Sequence, residues 1–165
     1  MPSSRYDSPQ LLQENAAFSI YDATDATQGR AVRVLEFHAQ GDERESLKQM
    51  FRALQKLDRR DLEQVLEVRD EEGEPLEVAI VPPAGTHLAN VLKEGPLTVE
   101  EFESVATGLL NAPAAVHDLG LIHGAIRPEL VWIDRSDTKD WKVRLHGFGL
   151  GFGDGGDGSK ATVAA

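Results

Sequence analysis

LIHGAIRPELVWIDRSDTKDWKVRLHGFG, residues 121–149, holds two short apolar runs, Leu130–Ile133 and Trp141–Leu145, joined by a polar turn. Runs of that length and content predict a β-hairpin. A His-Gly-Ala-Ile-Arg-Pro-Glu loop leads into the first run, and a Gly-Phe-Gly follows the second. Just upstream, the spacing predicts a helix. Thr98 with Glu101 three residues on is a capping-box pattern. Phe102, Val105, Leu109, Ala112, Val116 and Leu119 recur at steps of three and four, so residues 98–119 should bury one continuous stripe. Pro113 should kink that helix or leave a carbonyl unpaired. Gly120 is placed to stop it.

Further out, Pro82-Pro83-Ala-Gly85 breaks regular structure and is the expected hinge, with a short helix over Leu88–Leu92 beyond it. Before the hinge the chain predicts strand, strand, helix, strand, strand. The first two strands lie around the turn at 25–29. The helix carries Leu47, Met50, Phe51, Leu54 and Leu57 on one face, with Asp42 as its N-cap. Leu62–Arg69 and Leu76–Val81 are the other strands, flanking an acidic turn. Residues 1–14 are expected to be a flexible lead-in and the glycine-dense 151–165 a linker or tail. The GxGxxG-like spacing in that tail has no helix after it, so the linker reading is preferred to a phosphate loop.

Composition narrows the function. The 165 residues suffice for one domain or a small two-lobed one. The chain has no cysteine, which excludes disulfides and thiolate metal sites. A net charge of −11 disfavours nucleic acid and anionic membrane surfaces as partners. No apolar run approaches the roughly 18 residues that span a bilayer, and the first ten residues lack the apolar centre of a signal peptide. The expected location is cytoplasmic, alone or as the cytoplasmic part of a larger chain.

With these elements in this order, residues from about 15 to 150 resemble part of a bacterial-type serine/threonine protein kinase. His123-Gly-Ala-Ile-Arg-Pro-Glu-Leu130 resembles the family's His-Arg-Asp-Leu-Lys-Pro-Glu-Asn. Gly147-Phe-Gly149 stands where the family has Asp-Phe-Gly, and Gly85-Thr-His-Leu88 resembles the segment after the family's hinge. The resemblance implies an α+β, protein kinase-like fold. An antiparallel-sheet N-lobe with one main helix would span 15–83. A partial helical C-lobe with a β-hairpin would span 84–150, truncated after the Asp-Phe-Gly-equivalent position.

The resemblance also marks where the family's chemistry would sit. The glycine-rich loop falls on Gln13–Phe18, QENAAF, where side chains would occupy phosphate space. The strand lysine becomes Arg33, either a phosphate clamp or, more commonly, a snorkelling or ion-paired residue. Its helix glutamate falls on Met50, expected in the core, with Glu45 the nearest acid. With Ile80 as gatekeeper, the adenine-binding amide falls on Pro83, which has no N–H; a one-residue slip moves it to Pro82, with the same defect, or to Ala84. The catalytic aspartate becomes Ala125. The two metal-binding positions become Leu130 and Gly147, neither of which offers oxygen to a hard cation. His123, Arg127, Pro128 and Phe148 are retained as expected structural pins.

On these residues the chain is expected not to be an enzyme. It reads as a catalytically inactive pseudokinase without ATP, metal or other cofactor, serving as a protein-binding scaffold or regulatory module. The alternative is a metal-independent nucleotide-sensing domain without phosphotransfer; an enzyme with relocated catalytic residues is a third reading. A protein partner, a second copy or further chain is expected over the outer face of the 98–119 helix, in place of missing C-lobe helices. Other constellations have bland readings. His117, His123 and His146 with Asp118 lack metal-ligand spacing, and His123 is expected to bond backbone near its loop. No GxSxG elbow supports a hydrolase. The acidic run 70–74 reads as a solvated turn before a calcium site. Trp132 and Trp141 read as hairpin packing before an exposed binding patch.

Overall fold

A computed structural model describes residues 2–137 and 141–152. The chain divides into two units. One contains the described residues up to Asp58 together with Gln64–Pro82; the other contains Arg59–Glu63 and Pro83–Gly151. Pro82 and Pro83 fall on either side of that division.

The first unit is built on a five-stranded antiparallel sheet. Its strands are β1 (Tyr6–Glu14), β2 (Phe18–Asp25), β3 (Arg30–Phe37), β4 (Val65–Arg69) and β5 (Leu76–Ile80), in the order β1-β2-β3-β5-β4. The β-branched and apolar content of Ala-Val-Arg-Val-Leu-Glu-Phe and Leu-Glu-Val-Ala-Ile suits the two central strands, where side chains pack on both faces. One face meets α1 (Gly41–Gln55). That helix buries Leu47, Met50, Phe51 and Leu54 at steps of three and four, and Phe51 lies 5.4 Å from the ring of Phe37. The opposite face buries Tyr6, Ala23, Val32, Val34 and Ala79 with Leu66 against them.

Three local expectations are corrected here. Residues 6–14 of the expected flexible lead-in form β1. As an edge strand it is exposed along nearly its whole length, so it shows no alternation to read, and Pro9 is tolerated there. Helix α1 starts at Gly41, with Gln40 rather than Asp42 at the N-cap; Gly41 has φ +56°, a turn open to glycine. The run from Leu62 is not one strand. Its first residues belong to the second unit, and β4 begins at Val65.

The second unit carries a three-stranded sheet, β6 (Thr86–His87), β7 (Val131–Asp134) and β8 (Lys142–Leu145), in that order. The expected hairpin is β7–β8, with Trp132 opposite Arg144. Gly85 leads into β6 with φ +93°, and a Cβ there would lie 2.1 Å from the Ile133 carbonyl oxygen, so only glycine fits. Two helices follow β6, α2 (Leu88–Glu94) and α3 (Val99–His117). Thr98 caps α3 through the expected box: its hydroxyl accepts from the Glu101 amide at 3.2 Å, and its amide donates to the Glu101 carboxylate at 2.8 Å. Pro113 lies inside α3. The expected single stripe is split. Val105, Ala112 and Val116 are buried, but Phe102 is 61% and Leu119 44% exposed. The reason is local: Gly108 brings α3 against Val143 of β8, so the buried face is rotated away from Phe102. No helix among the described residues is long and apolar enough to cross a membrane. All but the first residues of the expected 151–165 linker lie outside the described residues.

Candidate functional site

In the first unit the QENAAF segment closes a tight hairpin between β1 and β2. The Asn15 amide donates to the Phe18 carbonyl at 3.0 Å. The Asn15 side-chain oxygen accepts from the amides of Ala17 at 2.8 Å and Phe18 at 2.9 Å. This is an Asx-type closure, and it commits two turn amides to a side chain. Arg33 lies directly opposite Asp22 in the β2–β3 register and grips it with two bonds, 2.7 and 3.0 Å. A bidentate pair of this kind fixes the guanidinium plane on the sheet. Met50 is buried in the α1 core. Glu45 pairs with Lys48 of its own helix. Ile80 lies opposite Arg33 on β5, and the next amide, Val81, donates to the Gln64 carbonyl at 2.9 Å. The acidic turn is organised by cations: Asp70 pairs with Arg44 at 2.8 Å and Lys48 at 2.9 Å, and Arg44 also donates to the carbonyls of Glu71 and Glu74.

The second unit brings the loop residues together around β8. Leu62 forms a parallel bridge with Leu145; the Glu63 amide donates to the Leu145 carbonyl and the Leu145 amide to the Asp61 carbonyl, both at 2.9 Å. This bridge delivers the Glu63 carboxylate to the end of β8, where it is almost wholly buried. Glu63 Oε2 accepts from the Gly147 amide at 3.0 Å and lies 3.6 Å from His146 Nδ1. Glu63 Oε1 and His146 Nε2 are buried with no hydrogen-bond partner among the described residues. The sequence reading missed Glu63 because it placed the residue inside an apparent strand. The segment Leu62–Val68 reads LEQVLEV, with a second glutamate at Glu67, so its composition alone does not single out Glu63.

His123 holds the other side of this cluster. Its Nε2 donates to the His146 carbonyl at 2.9 Å, and its Nδ1 accepts from the Ala125 amide at 3.3 Å. Phe148 meets the His123 ring edge-on at 4.4 Å. Burial lowers the His123 pKa below its ordinary value, outweighing the bond to His146 and the nearby Glu63 charge that favour the cation. The bond pattern agrees, since a proton on Nδ1 would face the Ala125 N–H.

Pro128 opens a short 3₁₀ turn, Pro128–Leu130, in which the Leu130 amide donates to the Arg127 carbonyl at 2.9 Å. The His146 amide then donates to the Leu130 carbonyl at the same distance. Gly147 has φ +87°, and a Cβ there would lie 2.7 Å from Leu130 Cδ2. The two positions matched to the family's metal ligands thus touch, with an isobutyl side chain filling the space beside the glycine. Trp132 is half-buried, its ring tilted against that of His87 at 4.0 Å and edge-on to that of His146 at 6.3 Å. Trp141 lies under the Arg135 guanidinium at 5.4 Å. Among the described residues no group of His, Asp and Glu side chains is placed to hold a metal ion, so His117, His123, His146 and Asp118 do not form one.

No family model matches the chain. Among curated proteins it is similar to the calcium/calmodulin-dependent protein kinase type 1 of Caenorhabditis briggsae and of Caenorhabditis elegans. Each is 26% identical over 149 residues, covering 88% of this chain and 42% of the relative. It is also 33% identical over 70 residues, 42% of the chain and 13% of the relative, to the probable serine/threonine-protein kinase fnkB of Dictyostelium discoideum. The chain therefore spans about two fifths, or less, of these relatives. Among solved structures it superposes on Rad53 1-466 in complex with AMP-PNP, with a TM-score of 0.71 and 18% identity. That match covers 88% of this chain and 38% of that one.

The expected α+β, kinase-like architecture is therefore present. One expectation is overturned. The chain was expected not to be an enzyme, a pseudokinase by its missing residues. Two proteins that it resembles over 88% of its length are named calcium/calmodulin-dependent protein kinases, and a third, matched over 42%, a probable serine/threonine-protein kinase. Substitutions at the positions matched by the motif resemblance, among them Ala125, Leu130 and Gly147, do not by themselves assign the chain to a non-enzyme class.

Proposed function

Proceeding from a protein kinase-like fold, we propose that the chain is a regulatory module that works by binding another protein. The observation that carries this reading is the apolar surface of α3. Val99 is 69%, Phe102 61% and Leu110 72% exposed, on a helix that buries Val105, Ala112 and Val116. Contiguous exposed apolar side chains of that size mark interaction sites more often than chance surface. The closed Asn15 hairpin adds support, because amides occupied by a side chain are not free to cradle phosphates. It favours protein binding over the nucleotide-sensing alternative.

The test is a peptide-display selection against the 165-residue chain, followed by thermal unfolding with each candidate ligand. The expected result is enriched peptides that raise the unfolding midpoint. A ligand at 100 times its dissociation constant adds about 2.7 kcal/mol. Failure to enrich any peptide, together with a midpoint that rises with ATP alone, would overturn the reading in favour of nucleotide sensing. A separate assay of phosphate transfer to a generic substrate measures the activity named for the relatives.

A further inference from the structure

We propose that the exposed face of α3 is the docking surface and that its occupant is a cationic amphipathic helix of a partner protein. The inference rests on the protein-binding reading and specifies its surface and ligand chemistry. Val99, Phe102, Ala106, Leu110 and Pro113 follow one another at steps of three and four, so they line a single face. Three of them are large, apolar and mostly exposed. A straight stripe of this spacing, about four turns long, matches the apolar seam of another helix, read as anchors at i, i+3 and i+7.

Charge selects the occupant. Between Val99 and Leu119 there are four acidic side chains, Glu100, Glu101, Glu103 and Asp118, and no lysine or arginine. Glu101 is engaged in the capping box and Asp118 is the C-cap beyond the stripe, whereas Glu100 and Glu103 are exposed beside its first turn. A second copy laid on this face would set acidic borders against each other, in a chain already carrying −11. Like charges across a contact disfavour the wrong partner. A helix with leucine-type anchors and flanking lysines or arginines instead meets apolar with apolar and anion with cation. The same sign excludes an anionic lipid surface.

The probes are two labelled synthetic helices with one leucine pattern, one flanked by lysines and one by glutamates. Fluorescence anisotropy measures their binding to the wild-type chain and three variants. Leu110→Glu removes an anchor at a solvent-exposed site. Glu100→Lys with Glu103→Lys reverses the border. Glu71→Lys with Glu72→Lys reverses an equal charge in the other unit. The lysine helix should bind the wild type and the glutamate helix should not. Leu110→Glu and the border reversal should each weaken binding about ten-fold, while the Glu71/Glu72 reversal should leave it within about two-fold.

Equal weakening by both charge reversals, or no effect of Leu110→Glu, would overturn the surface assignment. Binding of display-selected peptides that survives Leu110→Glu would sink this inference and leave the protein-binding reading intact. Light scattering supplies the remaining outcome: a wild-type dimer that Leu110→Glu converts to monomer would assign the face to a second copy instead.

Discussion

The two units hold their shapes by different means. The first is a regular sheet and one helix, with unbroken β2–β3 and β3–β5 registers and a core packed on both faces. The Arg33–Asp22 pair, the Arg44 network and the Asn15 hairpin lie on partly exposed side chains, while its buried polar residues Ser19, Asp25, Glu36 and Glu77 sit within the regular strands. The second unit depends on irregular backbone. It needs glycine where Gly85 passes the Ile133 carbonyl and where Gly147 lies beside Leu130. Its loop is held by three buried polar side chains, Glu63, His123 and His146. Damage to a partly exposed contact in the first unit removes one interaction among many. Damage to a single buried atom in the second should release a whole loop.

The largest effect that would break this contrast is expected at Gly85. Gly85→Ala places a methyl carbon against backbone at a positive φ, where nothing can move aside cheaply. Chemical denaturation should show a loss of about 3–5 kcal/mol. A loss under 1 kcal/mol would mean the approach to Ile133 is looser than described.

Next comes Glu63. Replacement by leucine keeps the volume but strands the buried Gly147 amide and His146, and should cost about 2–3 kcal/mol. Glu63→Gln keeps an acceptor for the Gly147 amide and should recover most of that loss. Equal losses for the two variants would show that charge, not the hydrogen bond, secures the loop.

A smaller effect is expected from acid. Below about 6.5 the unfolded His123 imidazole takes up a proton that the buried ring resists until lower pH. The unfolded state then holds more protons, so stability falls as pH drops through that window. Unfolding midpoints measured across pH should slope less steeply for His123→Gln. An unchanged slope would place the acid sensitivity on other groups.

The smallest effect sharpens the comparison from the first unit. Asn15→Ala removes two bonds to turn amides, one exposed and one partly buried. The expected loss is about 1 kcal/mol, with faster amide exchange confined to the hairpin tip. Unfolding of the whole sheet by this change would erase the distinction between the units.

The contrast also explains what could be read from sequence. Periodicity found α1, α3, β3 and β5 because each buries one face or two in a regular pattern. It missed β1, whose exposed edge leaves no pattern, and it merged the Leu62 bridge with β4. The loop motifs singled out His123, Leu130 and Gly147 as matched positions of the resemblance. They could not find Glu63, which arrives from more than eighty positions away through a bridge of three residues. Nor could spacing alone say which half of the α3 stripe is buried. That choice depends on Gly108 admitting β8.

The central claim, protein binding through α3, is tested most directly by the unfolding midpoint of the chain in the presence of the lysine-flanked helix. The account predicts a rise of several degrees for the wild type, the size expected of about 2–3 kcal/mol in a domain of this length, and little or none for Leu110→Glu. Equal rises in both proteins, or no rise in either, would contradict it.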